Sequence, residues 1–163
     1  MEVARTRRFS WGDPFALAAA AEGKTGLAFL EAIVAGRLPL APMMDALSIE
    51  LSEVEHGRAV FECDVTEVHY NLIGTVHGGF AATLLDSATG CAVYSTLDAG
   101  DRWTTLGLQV DYLRPLSVDS GRVRCEANVV RVGGRIGLAD GLLTDGDGRP
   151  VARGRTTCLV VRA

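Results

Sequence analysis

Aromatic residues make up only 6% of this 163-residue chain, and several features that would mark a function class are missing. The four cysteines, Cys63, Cys91, Cys125 and Cys158, lie far apart, with no Cys-x-x-Cys and no histidine at ligand spacing. That pattern excludes the common zinc motifs and a disulfide framework, and reads as reduced core thiols in a cytoplasmic protein. The other histidines are as scattered: His56 and His69 fall near turns, where solvation is expected, so no metal site is expected. A net charge of −4 leaves no basic footprint for nucleic acid. Apolar runs are short. Phe15 to Ala21 is ended by Glu22-Gly23-Lys24, far below a membrane span, and Asp13-Pro14 separates it from Arg7-Arg8. Asp13 and Pro14 instead suit an N-cap and first helical residue, so neither a targeting signal nor a membrane segment is expected. Gly133, Gly134 and Gly137 lack the Lys-Ser/Thr of a phosphate loop and read as a turn.

What is present is apolar content of 48%, with a mean hydropathy of +0.20 against 22% charged residues. The length suits one domain with a sizeable core, and the apolar excess suits further burial in an oligomer. A helical arm is predicted from about Pro14 to Ala35, split by Gly23 and Gly26 and ended at Gly36. Pro39 and Pro42 bracket the link onward, which divides the chain into an arm over 1–39 and a domain over 40–163. Alternation follows. Ala59, Phe61, Cys63 and Val65 share one strand face, and Val123, Cys125, Ala127 and Val129 another. Leu106, Leu108, Val110 and Tyr112 alternate with Thr105, Gly107, Gln109 and Asp111. Hairpin turns are predicted at Gly133-Gly134 and Asp145-Gly146-Asp147-Gly148, and a last strand over about Val151 to Val161. With a long helix over about Gly78 to Leu97, this order suits an α+β fold, a curved antiparallel sheet wrapped round one helix.

The most informative stretch runs from Asn71 through Gly74, His77, Gly78 and Gly79 to Asp86. Asp86 is the only charge between Phe80 and Tyr94, and a carboxylate in an apolar helix is costly unless it has a partner or a task. Its helical neighbours Ala82, Thr83, Thr89 and Gly90 are all small, leaving a low surface that could admit a ligand. The glycine pair places amides without intrahelical partners at the positive end of the helix, where they could stabilise a developing oxyanion. An acid and an oxyanion site are the parts of a hydrolytic centre; a tight loop with a capping histidine and a structural aspartate is the alternative.

Asn71-x-x-Gly74-x-x-His77-Gly78-Gly79 followed by Asp86 resembles the signature of hotdog-fold acyl-CoA thioesterases of the phenylacetate-pathway (PaaI-like) branch. Thr104-Thr105-Leu-Gly-Leu-Gln-Val-Asp-Tyr-Leu-Arg114-Pro115 resembles the strand after the central helix of that family, and the likeness runs from about Leu40 to Val161. The resemblance implies that Asp86 is the nucleophile or the general base for water. It further implies that the Gly78 amide polarises the thioester carbonyl, that His77 supports that loop, that Gly79 binds substrate beside it, and that Asn71 orients water or thioester from the opposite subunit. Thr105 or Thr104 would hold the water. A related Glu-using branch often carries a hydroxyl one turn after the acid; here that position is Gly90, which aligns the chain with the Asp-type branch.

The expected function is hydrolysis of aryl-acetyl or short-to-medium acyl-CoA, without metal or organic cofactor, in a homodimer or a tetramer built as a dimer of dimers. The alternatives are an acyl-thioester hydratase or dehydratase, and a non-catalytic acyl-CoA-binding protein. Arg131, Arg135, Arg149, Arg153 and Arg155 are candidates for coenzyme A phosphates or a solvated strand face, and Trp103 for an acyl pocket or a filled gap.

Overall fold

The computed structural model describes residues 4–163. Helices α1 (Pro14–Ala19) and α2 (Gly26–Val34) form the arm, followed by a short α3 (Pro42–Leu47). Strands β1 (Glu50–Glu55) and β2 (Arg58–Asp64) precede the long helix α4 (Gly78–Tyr94). Then come β3 (Arg102–Tyr112), β4 (Arg122–Val132), β5 (Ile136–Thr144) and β6 (Pro150–Val161). All six strands join one antiparallel sheet in the order β1-β2-β4-β5-β6-β3, which wraps around α4.

Local chemistry explains the element ends. Asp13 accepts from the Phe15 amide and Pro14 opens α1, while Thr25 caps α2 through the Ala28 amide. Gly36, just past α2, has φ +67°, the left-handed conformation that ends helices cheaply in glycine. Pro42 starts α3 rather than merely bracketing a link, a use of N1 proline that the short run concealed. The α4 ladder stops at Tyr94, three residues before the predicted end, and closes in turns to Leu97.

The core is where alternation placed it. Ala59, Phe61 and Cys63 of β2 and Val123, Cys125 and Ala127 of β4 are buried against Leu84, Leu85 and Ala88 of α4. The opposite face of β1, β2 and β4 carries ion pairs: Arg58 with Glu53 and Glu126, and Arg124 with Glu53 and Glu62. Held by Arg124 and Arg58, the Glu53 carboxyl is lowered to about 2.

Two expectations need correction. The alternation in β3 breaks at a bulge: Thr105 pairs with Cys158 and Gly107 with Thr157, so Leu106 has no cross-strand partner. Leu106 is therefore exposed, and Thr105 turns towards α4 rather than away from it. His69 is not solvated but buried, at 4% exposure, stacked on Phe80 with ring centroids 4.2 Å apart. Its Nδ1 accepts the Thr66 amide at 3.1 Å and its Nε2 meets the Leu47 carbonyl at 2.9 Å, which requires the neutral Nε2–H tautomer.

The arm docks through Gly26, whose amide donates to the Leu97 carbonyl at 3.0 Å. A Cβ there would lie 1.8 Å from the Tyr94 carbonyl oxygen, which is backbone and cannot swing away. Gly26→Ala is therefore expected to cost about 2 kcal/mol or more, read as a lowered midpoint in denaturant unfolding; an unchanged midpoint would contradict this docking. His69 supplies a pH test. Burial pushes its pKa down from its ordinary value, so the unfolded chain binds a proton that the folded chain resists. That contribution is complete above the unfolded value of about 6.5 and is lost as pH falls below it. Unfolding free energy should drop between pH 7.5 and 5.5, and the drop should shrink in His69→Gln.

Candidate active site

The loop before α4 is built largely by its own side chains. The Asn71 amide donates to the Thr75 carbonyl at 2.7 Å; its side-chain Oδ1 accepts from the Ile73 and Thr75 amides, and its Nδ2 donates to the Thr75 hydroxyl. Every one of these contacts is internal to the loop, so Asn71 shapes it. The turn closes at Gly74 with φ +78° and leaves Leu72 and Ile73 exposed at its tip. The loop is tied down where His77 donates its amide to the His69 carbonyl at 2.8 Å. Buried His69 thereby positions the start of α4.

His77 is the N-cap of α4, its Nδ1 accepting the Gly79 amide at 2.8 Å. The Phe80 amide goes to the His77 carbonyl. The Gly78 amide has no acceptor among the described residues, while those of Gly79 and Phe80 are occupied. The Gly78 N–H is thus a free donor at the positive end of α4, as an oxyanion site requires. Tyr112 packs on it: the phenol donates to the Gly78 carbonyl at 3.0 Å, and a Cβ on Gly78 would lie 3.2 Å from the ring. A groove borders this point, lined by His77, Gly78, Ala81, Tyr112 and Arg114.

Asp86 lies half-buried on α4, its Oδ1 accepting the Thr105 hydroxyl at 2.9 Å. The β3 bulge makes this contact possible. Thr104, one residue earlier, is exposed on the other face of the strand. Around Asp86 the residues Ala82, Thr83 and Ser87 are half-exposed, whereas Thr89 and Gly90 are covered, Thr89 by the sheet and Gly90 beneath Trp103. The carboxylate opens onto an apolar cavity of about 280 Å³ between α4, the sheet and the arm. Cys91 lines that cavity, and desolvation pushes its thiol up to about 12.

The two halves of the site are distant within one chain. Asp86 follows Gly78 by eight positions on α4, a rise of about 12 Å at 1.5 Å per residue. Of the five candidate phosphate ligands, Arg149 pairs with Asp145 and Asp147, Arg153 with Asp111, and Arg155 with Asp140. Arg131 and Arg135 form no ion pair among the described residues. No cluster of three His, Cys, Asp or Glu side chains suited to a metal occurs among the described residues. None of their helices is long and apolar enough to cross a membrane. Sequence reasoning missed Tyr112 and the arm residues of the cavity, since both depend on register and docking rather than on a motif.

Known proteins share this architecture. A family model described as the thioesterase superfamily matches residues 73–152. Human acyl-coenzyme A thioesterase 13 is 31% identical over 110 residues, covering 67% of this chain and 77% of that protein. A Halobacterium salinarum relative, described as a putative esterase, is 46% identical over 69 residues, spanning 41% of this chain but only 44% of its own length. A mutant of the phenylacetic acid degradation protein PaaI from Thermus thermophilus superposes with a TM-score of 0.67 at 31% identity, covering 76% of this chain and 100% of that one. A hypothetical thioesterase protein from Streptococcus pneumoniae, solved with coenzyme A, gives 0.64 at 26% identity, covering 71% and 88%. With its six-stranded sheet wrapped round α4 and these relatives, the chain belongs to the thioesterase superfamily, as a thioester hydrolase of the hotdog fold.

Proposed function

We propose that this thioester hydrolase acts on acyl-CoA of the aryl-acetyl or short-to-medium class, in the manner of the PaaI-like branch, at sites shared between two copies of the chain. The observation that carries the reading is the Asp86–Thr105 hydrogen bond in the wall of an apolar cavity. Thioester hydrolysis needs an activated oxygen nucleophile and donors for the developing oxyanion, and needs no metal or organic cofactor. Asp86 supplies the first, attacking the carbonyl carbon itself or taking the proton from the attacking water. The thiolate of coenzyme A leaves in either case, and the acid is released. Thr105 fixes the carboxylate, leaving its second oxygen for water or carbonyl.

The oxyanion donor is the Gly78 amide, with His77 capping the loop and Asn71 shaping it. Because about 12 Å of helix separates Asp86 from Gly78, one carbonyl cannot meet both in a single chain. A second copy must bring its Gly78 to the first copy's Asp86. The unpaired edge of β3, next to β6 alone, and the exposed Leu72-Ile73 tip support a dimer at least, the oligomer that the apolar composition favours. Unpaired thiols favour a cytoplasmic setting, where stalled thioesters would be cleared to free coenzyme A.

Release of free thiol from a panel of acyl-CoAs tests the activity. Asp86→Asn keeps size and polarity but loses the charge, and turnover should fall at least about a hundredfold with folding retained. Thr105→Val should fall less, since the carboxylate remains. A near wild-type rate for Asp86→Asn would refute the assignment. Shared sites have their own test: Asp86→Ala and Gly78→Val subunits, each inactive alone, are mixed and exchanged. Half the dimers would be mixed, with one intact site in each, so about a quarter of wild-type activity should return. No recovery after verified exchange would rule out sharing.

A further inference from the structure

The cavity beside Asp86 has a wall that the thioester chemistry does not itself require. One side is α4, which advances from Asp86 through Gly90 and Cys91 to Tyr94, a run of about 12 Å. A second side is the sheet, with Leu51, Phe61 and Trp103. The third is the N-terminal arm, which contributes Leu17 and Ile33, continued by Met44 of α3. Beyond Asp86 the floor is kept low by Gly90: a Cβ there would lie 3.5 Å from the Trp103 indole nitrogen. At Tyr94 the path meets the Tyr94–Trp103 stack, whose rings lie 3.9 Å apart and nearly parallel at 13°, backed by Phe29 edge-on to Tyr94.

We propose that the acyl group of the substrate occupies this cavity and that the arm, through Leu17 and Ile33, sets the acyl size the protein accepts. The inference rests on the thioester hydrolase reading, which puts the scissile carbonyl at Asp86. The cavity suits an acyl group and not the pantetheine arm of coenzyme A. The two amides of pantetheine would be stranded among leucine, isoleucine, phenylalanine and methionine side chains, an uncompensated polar burial. An apolar acyl group gains from the same surface. The size is bounded as well. At about 30 Å³ per buried heavy-atom group, the volume share of a water molecule, 280 Å³ holds roughly nine heavy atoms. A phenylacetyl or an octanoyl group fills it, and a palmitoyl group overruns it against the arm.

Leu17 and Ile33 are only half-buried, so truncating them enlarges the cavity without emptying the core. The experiment measures kcat/KM for a hexanoyl, octanoyl, dodecanoyl and palmitoyl-CoA series with the full chain and with Leu17→Ala/Ile33→Ala. Wild-type efficiency should peak near octanoyl, and the dodecanoyl-to-hexanoyl ratio should rise about tenfold or more in the double variant. Superimposable profiles would overturn the assignment of the arm. A second measurement does not depend on turnover: Trp103 emission in Trp11→Phe/Asp86→Asn, titrated with octanoyl-CoA and with coenzyme A alone. Octanoyl-CoA should shift the emission and coenzyme A should not; equal responses would overturn the cavity as the acyl site. Failure of wild type to hydrolyse any acyl-CoA would sink the hydrolase reading alone, and the Trp103 response would then decide the inference.

Discussion

The rise of a single helix governs how this protein can work. α4 carries both groups of the proposed site, an amide at Gly78 without an acceptor among the described residues and a carboxylate at Asp86, and regular α-geometry holds them about 12 Å apart. No loop motion can shorten that distance, because every intervening peptide is locked in the helix ladder and packed under the sheet. In the proposed mechanism, chemistry at one carbonyl would draw these two groups from two copies of the helix. The exposed β3 edge, the apolar Leu72-Ile73 tip and the half-open strip around Asp86 are the surfaces that such a pairing of copies would use.

Around that helix, support is supplied by backbone devices. A one-residue bulge at Leu106 rotates Thr105 inward to reach Asp86; without it the hydroxyl would face solvent. At the other end, buried neutral His69 commits both ring nitrogens to backbone groups of Thr66 and Leu47 and lends its carbonyl to His77. The order of command runs from a core histidine, through a loop, to a helix cap and so to the Gly78 amide. The aim of Asp86 and of the Gly78 amide is thus set by neighbouring groups, a strand bulge on one side and a buried histidine on the other.

Much of this was readable in the chain. Period-two burial in β2 and β4, the Asp13-Pro14 start, the two glycine hairpins and the apolar central helix each follow from local chemistry, and the structure keeps them. In the site, sequence singled out Asp86, Thr105 and Gly78, and the first two are in contact. Other features needed tertiary information. The bulge is a mismatch between β3 and β6, invisible in either strand alone. His69 reads as a turn residue until Leu47, more than twenty positions earlier, arrives to cover it. Gly79 and Thr104 look equivalent to their neighbours in sequence, yet one amide is consumed by His77 and the other side chain faces outward. The arm becomes part of a cavity only through docking at Gly26.

Cys91 gives the cavity a further property. A thiol beside a bound thioester is a rival acyl acceptor, since a thiolate exchanges with thioesters, taking the acyl group as a new thioester on the protein and releasing the thiolate of coenzyme A. Desolvation raises the Cys91 pKa well above its ordinary value, which favours the protonated thiol at neutral pH. The apolar wall proposed to take the acyl group is thus also what holds the neighbouring sulfur in its uncharged form. Desolvation of one surface would then serve two ends, welcoming the acyl group and discouraging its transfer to the protein's own thiol.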